Sequence, residues 1–115
     1  KPWRYGRDRK PAAFGGLMPF YQYDDEVGYF NRAGVLPEYR GTDLQGVLIR
    51  LREKAVLDRN WWAVVTTTYA NPASSNNLIR AGWMQFQPVS PWATLGTQYW
   101  RKVLLPDDPR ARATL

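Results

Sequence analysis

Apolar residues along the chain change their spacing several times, and each change marks a new element. Residues 3–5 read as the end of a strand, and 6–11 as a turn rich in polar and punctuating residues. Residues 12–23 form a β candidate whose interior is weakened by Gly15, Gly16 and Pro19. Asp24, Asp25 and Glu26 make an acidic turn, and a further strand over 27–36 ends at Pro37. From Asp43 the period becomes helical. Leu44, Val47, Leu48, Leu51 and Ala55 recur at spacings of three and four and form one apolar stripe. Arg50, Arg52, Glu53 and Lys54 lie mostly off that stripe. Thr42 or Asp43 can cap the first turn by accepting from its free N–H groups, and the helix stops near Asn60.

Residues 61–69 give the clearest strand, aromatic and then β-branched, ending in three threonines. Asn71 follows as a helix cap, with Pro72 at the first helical position. This helix runs to Ala81, and Gly82 supplies a left-handed stop. Residues 83–87 and 97–104 are two more strands, joined by a link that carries Pro88, Pro91 and Trp92. Strands bracketing two helices place the chain in the mixed α/β class. The helical crossover makes strands 27–36 and 61–69 parallel neighbours. Trp83, Tyr99 and most of the Trp61–Trp62 pair sit in alternating strand context and are expected to pack in the core. One domain over 1–105 is expected, followed by an irregular tail over 106–115.

The length of 115 residues fits one domain, and 44% hydrophobic residues with six Trp and seven Tyr supply one core. Cys and His are both absent, which excludes disulfides, a thiol nucleophile and a His base, and removes the usual zinc ligands. No metal is expected. The lack of Cys fits a reducing compartment, and a cytoplasmic setting is expected. No apolar run approaches the ~20 residues that span a bilayer. The chain opens on Lys1 and a charged stretch, which reads as a cut or processed end rather than a targeting segment. The net charge of +6 is concentrated near the ends, at Lys1, Arg4, Arg7, Arg9 and Lys10 and at Arg101, Lys102, Arg110 and Arg112. Such charge attracts an anion: a nucleotide cofactor, nucleic acid or an acidic surface. No nucleic-acid-binding motif accompanies it, and the aromatic residues are explained as core.

Two segments carry a family resemblance. Val35-Leu36-Pro37-Glu38-Tyr39-Arg40-Gly41-Thr42-Asp43-Leu44-Gln45 resembles the strand, loop and helix start of the GNAT N-acetyltransferases, V-x-P-x-[YF]-[RQ]-G-x-G-x-[GA]. Asn71-Pro72-Ala73-Ser74, continuing through Leu78, Arg80, Gly82 and Trp83, is similar to that family's N-x-x-[AS] helix ending in K-x-G-F. One helix and one strand separate the two, as the family requires. The resemblance implies an acyl-CoA N-acyltransferase-like mixed sheet with helices on both faces, lacking the family's first strand and first two helices. It implies an acetyl-CoA-dependent N-acetyltransferase, whose partners are a coenzyme A thioester and an amine acceptor. The implied cofactor-binding residues are Val35, Arg40, Gly41, Thr42, Leu44, Asn71 and Ser74. A helix N-terminus with free N–H groups suits the ADP phosphates, Gly41 lets backbone approach closely, and Arg40 neutralises charge. The resemblance also implies that strands 27–36 and 61–69 diverge toward one end. The pantetheine arm would pair with backbone near residues 33–35 like a false strand, with Asn71 and Ser74 beside it and backbone N–H near Val35 holding the oxyanion.

Four residues depart from the family pattern. Asp43 and Gln45 stand where small residues surround the phosphates, and the Asp43 carboxylate would repel them. Asn31 occupies the position of a common Glu base, and Leu78 that of a common Tyr acid. Asp24, Asp25, Glu26 and Tyr69 are candidate substitutes, so no catalytic residue is assigned. These departures support an alternative: a catalytically degenerate module on the same fold, a structural or interaction component of a larger assembly such as a viral particle. An incomplete sheet also exposes an apolar face that a protein partner would cover.

Overall fold

The computed structural model describes residues 2–4, 11–20, 24–31, 33–39 and 43–112. In chain order the strands and helices are β1 (Pro2–Arg4), β2 (Pro11–Gly15), β3 (Met18–Phe20), β4 (Asp24–Phe30), β5 (Ala33–Val35), α1 (Leu44–Asp58), β6 (Ala63–Thr68), α2 (Pro72–Arg80), β7 (Met84–Phe86) and β8 (Gln98–Val103). Short 3-10 turns occupy Pro37–Tyr39 and Pro109–Arg112.

Both long strands expected from the sequence are broken, and at the same level. The run over 12–23 divides into β2 and β3 at Gly16 and Leu17, and the run over 27–36 divides into β4 and β5 after Phe30. The acidic residues expected in a turn instead open β4. The inner halves stay in a five-stranded sheet of order β3-β4-β6-β8-β7, and the outer halves form a three-stranded sheet of order β1-β2-β5. The hairpin peels away because glycine at its bend packs no side chain to hold the strands in one plane.

β4 and β6 are parallel, from Val27 opposite Ala63 to Phe30 opposite Thr66, as the crossover helix required. The ladder stops there, where Thr66 Oγ1 donates to Phe30 O at 2.8 Å. β6 continues through Thr67 and Thr68, bonded on its other side to β8. The described strands therefore diverge between β5 and the end of β6.

The core lies on both faces of β6, whose Ala63, Val64 and Val65 are fully buried. On one face Phe30, Val64 and Trp100 pack with Ile49 and Val56 of α1 and Leu78 of α2. Both helices lie on that face. The other face, where a helix was also expected, carries Phe20, Val27, Ala63 and Val65, with Phe86, Trp92, Leu105 and Ala111 packed against them. The chain's own link and tail thus cover the apolar face at these positions, which need no partner there. The tail is anchored by ion pairs of Arg110 with Asp108, at 2.8 Å, and with Glu26.

The helix ends are specified locally. Asn71 Oδ1 accepts from Ala73 N at 3.0 Å, the expected cap. At the far end of α2, Gly82 adopts φ +88°. Gly82 N donates to Ile79 O and Trp83 N to Leu78 O, each at 3.0 Å, closing the helix with the Trp83–Leu78 contact. Asp43 does not cap α1: its carboxylate lies over Gly46 and pairs with Arg50 Nη2 at 3.1 Å.

Candidate functional site

Where β5 leaves the neighbourhood of β6, two adjoining cavities open. The outer one, about 670 Å3, runs between β5 and the start of α2. The inner one, about 260 Å3, lies over the end of β6. They share Ala33, Gln45, Asn71, Ser74 and Asn77, so they form one continuous slot. Thr66 and Thr68 face the helices and Thr67 faces the other way, yet all three line the inner cavity.

The walls follow from local structure. β5 is the edge of its sheet, so the backbone of Ala33–Val35 has one hydrogen-bonding side turned from β2 toward the slot. Across from it, Gln98 ties the end of β6 to the first turn of α2. Thr68 Oγ1 and Ser75 Oγ both donate to Gln98 Oε1, at 3.4 and 3.1 Å. Trp100 Nε1 donates to Thr68 Oγ1 at 2.9 Å and fixes that hydroxyl from below. Asn71 and Ser74 are presented on this pinned turn.

The expected site residues fall as follows. Val35 lines the outer cavity, and Asn71 and Ser74 line both. Asn71 uses its carbonyl oxygen for the cap, which leaves the amide nitrogen to donate elsewhere. Leu44 opens α1, half-buried, and lines neither cavity. Arg40, Gly41 and Thr42 lie outside the described residues. Gln45 projects its bulk at the junction of the two cavities.

The candidate acids and bases separate. Glu26 lies toward the start of β4, roughly 13 Å of extended strand from Phe30, and is paired with Arg110. It lines neither cavity. Asp24 and Asp25 begin the same strand, farther still from the slot. Asn31 and the exposed Tyr69 do line the inner cavity. Asn31 Nδ2 is 3.6 Å from Met18 Sδ. Tyr29 and Thr67 share a hydroxyl hydrogen bond of 3.0 Å beside it. Among the described residues, neither cavity is lined by a carboxylate, and no group of acidic side chains gathers that could hold a metal ion.

One residue of the inner cavity escaped the sequence pattern. Arg52 was placed mostly off the apolar stripe of α1, yet it is 7% exposed. The deepest line of α1 runs through Leu48, Ile49, Arg52 and Val56. In the sequence Arg52 stands one turn from both Leu48 and Val56, a core spacing that a charged residue usually occupies without being buried. Arg52 Nε donates to Leu48 O and Nη1 to Gly16 O, each at 3.3 Å. Burial pulls its guanidinium down from the ordinary arginine value to about 10.

The fold has counterparts among solved structures. An acetyltransferase of the GNAT family from Staphylococcus aureus superposes with a TM-score of 0.71 at 14% identity, covering 86% of this chain and 63% of that one. A ribosomal-protein-alanine N-acetyltransferase from Escherichia coli gives 0.70 at 16% identity, covering 89% and 67%. This chain has the acyl-CoA N-acyltransferase fold. The PaiA N-acetyltransferase from Thermoplasma acidophilum, solved in complex with coenzyme A, gives 0.68 at 13% identity, covering 85% of this GNAT-fold chain and 57% of that protein. The chain thus spans between about half and two thirds of the length of these three proteins. No family model matches the sequence, and no curated protein matches it.

Proposed function

We propose that the slot binds acetyl-CoA and that the chain carries an N-acetyltransferase activity toward an amine. The observation that supports this most is the gap between β5 and β6, a groove with a free strand edge on one side. A pantetheine arm contains two amides in an extended chain, and such a chain pairs with an exposed strand edge. In this reading the arm lies along the Ala33–Val35 backbone, with Asn71 and Ser74 opposite. The phosphates meet the start of α1, at Arg40, Gly41, Thr42 and Leu44, where free N–H groups and the helix dipole favour anions. The amine attacks the thioester carbonyl at the inner cavity, and backbone N–H near Val35 holds the oxyanion. Positioning of amine beside thioester supplies the acceleration, since no carboxylate base lines the described walls.

The same absence favours a second reading, a module on this fold that retains the slot without the chemistry. Calorimetric titration with coenzyme A, followed by an assay of thiol release from acetyl-CoA in the presence of polyamines and amino-terminal peptides, separates the two. Saturable binding weakened by Arg40→Ala and tightened by Asp43→Gly supports the cofactor site. The gain from Asp43→Gly is about 1–2 kcal/mol, below the full Coulomb repulsion because the site is wet and because Arg50 already partners the carboxylate. Binding without turnover of any amine leaves the second reading, and no binding at millimolar ligand removes the cofactor site.

A further inference from the structure

We propose that Arg52 stabilises the negative charge of the departing coenzyme A thiolate, an inference that rests on the cofactor reading above. The outer cavity is the larger and the inner the smaller, and the two are continuous. A long ligand laid along β5 therefore puts its reactive end in the inner one. That end meets Arg52, Phe30 and Leu78 on the helix-facing wall.

The guanidinium is built into this wall. Its Nε and Nη1 are committed to the carbonyls of Leu48 and Gly16. Its Cζ stands 4.1 Å from the centre of the Phe30 ring. A Cβ added at Gly15 would fall 2.8 Å from Nε, so the absence of a side chain there is the space the arginine occupies. The charge is thus fixed, nearly dry and present at neutral pH, since burial lowers its titration only to about 10.

The step it assists is the collapse of the tetrahedral adduct. The amine nitrogen bonds to the carbonyl carbon, the C–S bond breaks, and its electron pair leaves on sulfur. The ammonium proton goes to water. Leu78 offers that sulfur no proton, and a nearby cation lowers the cost of its leaving as an anion. A fixed cation in a poorly solvated wall does this, and neighbouring arginine lowers a thiol's titration in the same way.

The consequence can be read without knowing the acceptor. The affinities of coenzyme A and of desulfo-coenzyme A, which lacks the thiol, are measured by calorimetry from pH 6 to pH 9, below the titration of Arg52 itself. Besides Arg52, the titratable side chains lining the two cavities are Tyr69, Tyr39 and Arg80, and both ligands feel them alike. If the bound thiol titrates one unit below its value in free coenzyme A, coenzyme A tightens relative to desulfo-coenzyme A as pH rises through the bound value, toward a limit of about tenfold. Arg52→Met abolishes this relative tightening, read as the ratio of the two affinities at each pH so that any general change in binding cancels. Parallel profiles for the two ligands in the native chain overturn the proposal, whether or not the variant folds. Relative tightening that survives in Arg52→Met also overturns it. Binding of neither ligand overturns the cofactor reading itself, and this inference with it.

Discussion

Trp83 is 3% exposed, packs against Phe30, and donates its indole N–H to Glu53 Oε2 at 3.0 Å. Glu53 Oε1 in turn accepts from Lys102 Nζ at 2.8 Å, and that ammonium also reaches Ala81 O at 2.6 Å. One side chain thus ties α1, the end of α2 and β8 together. Trp83→Ala should cost about 3–5 kcal/mol, by cavity formation and loss of the Glu53 partner. Denaturant unfolding checks this, and a loss under about 1 kcal/mol would contradict the packing described. The burial of Trp83, Tyr99 and Trp62 was legible in the sequence because large aromatic side chains in or beside strands are driven inward, although β6 and β8 bury consecutive residues rather than alternate ones. The burial of Arg52 was not. A charge spaced like a core residue is ordinarily solvated, and only the glycine facing it and the Phe30 ring make room for it.

Helices were easier to read than strands. The ends of α2 were specified by Asn71, Pro72 and Gly82, local signals that need no tertiary context. Gly82→Ala forces a Cβ into φ +88° and should destabilise by about 1–2 kcal/mol. Nothing lies closer than 3.7 Å to the added methyl, so the loss is conformational rather than steric crowding. Thermal unfolding of this variant beside Gly96→Ala tests the assignment. Gly96 has φ +90° with open space around it, and the two should lose similar stability. A neutral effect at Gly82 would mean that its hydrogen-bonded turn does not hold the end of α2. The strands were legible as runs but not as breaks. Gly15 and Gly16 signalled weakness in the first run, but Asn31 and Arg32 gave no such sign in the second. The break there is inherited from the partner strand across the hairpin, with Gly15 opposite Ala33 and Met18 opposite Tyr29.

At the scale of the molecule, the tail completes the second face of the sheet. Ala111 packs with the cluster around Val27 and Val65, while Arg110 bridges Asp108 and Glu26. Hydrogen bonds from the Arg110 side chain, and then from its backbone N–H, hold the Asp108 carboxyl down to about 2. The unfolded value is roughly 3.9, so the folded value is depressed. The stability from this pair is complete above the unfolded value and is lost as pH falls toward 2. Exchange of the Ala111 amide, which donates to Asp108 O at 2.9 Å, should accelerate relative to the core between pH 4 and pH 2. Asp108→Asn should remove that step, and identical acid profiles for both chains would contradict it. This docking was not visible in the tail's irregular sequence, because partners such as Glu26 are distant along the chain, 84 residues from Arg110.

The slot itself combines what was legible and what was not. Parallel pairing of two strands followed from the crossover and their divergence from the family resemblance, but the transfer of β5 to a second sheet sets the width of the gap. The claim on which the functional account turns is that a coenzyme A arm lies along Ala33–Val35. Two-dimensional amide NMR of the 15N-labelled chain, titrated with coenzyme A, tests it directly. The account predicts saturable shifts of the amides of Ala33, Gly34, Val35, Asn71, Ala73 and Ser74, with the Trp83 indole unmoved. Shifts confined to other surfaces, or none at millimolar ligand, would contradict it.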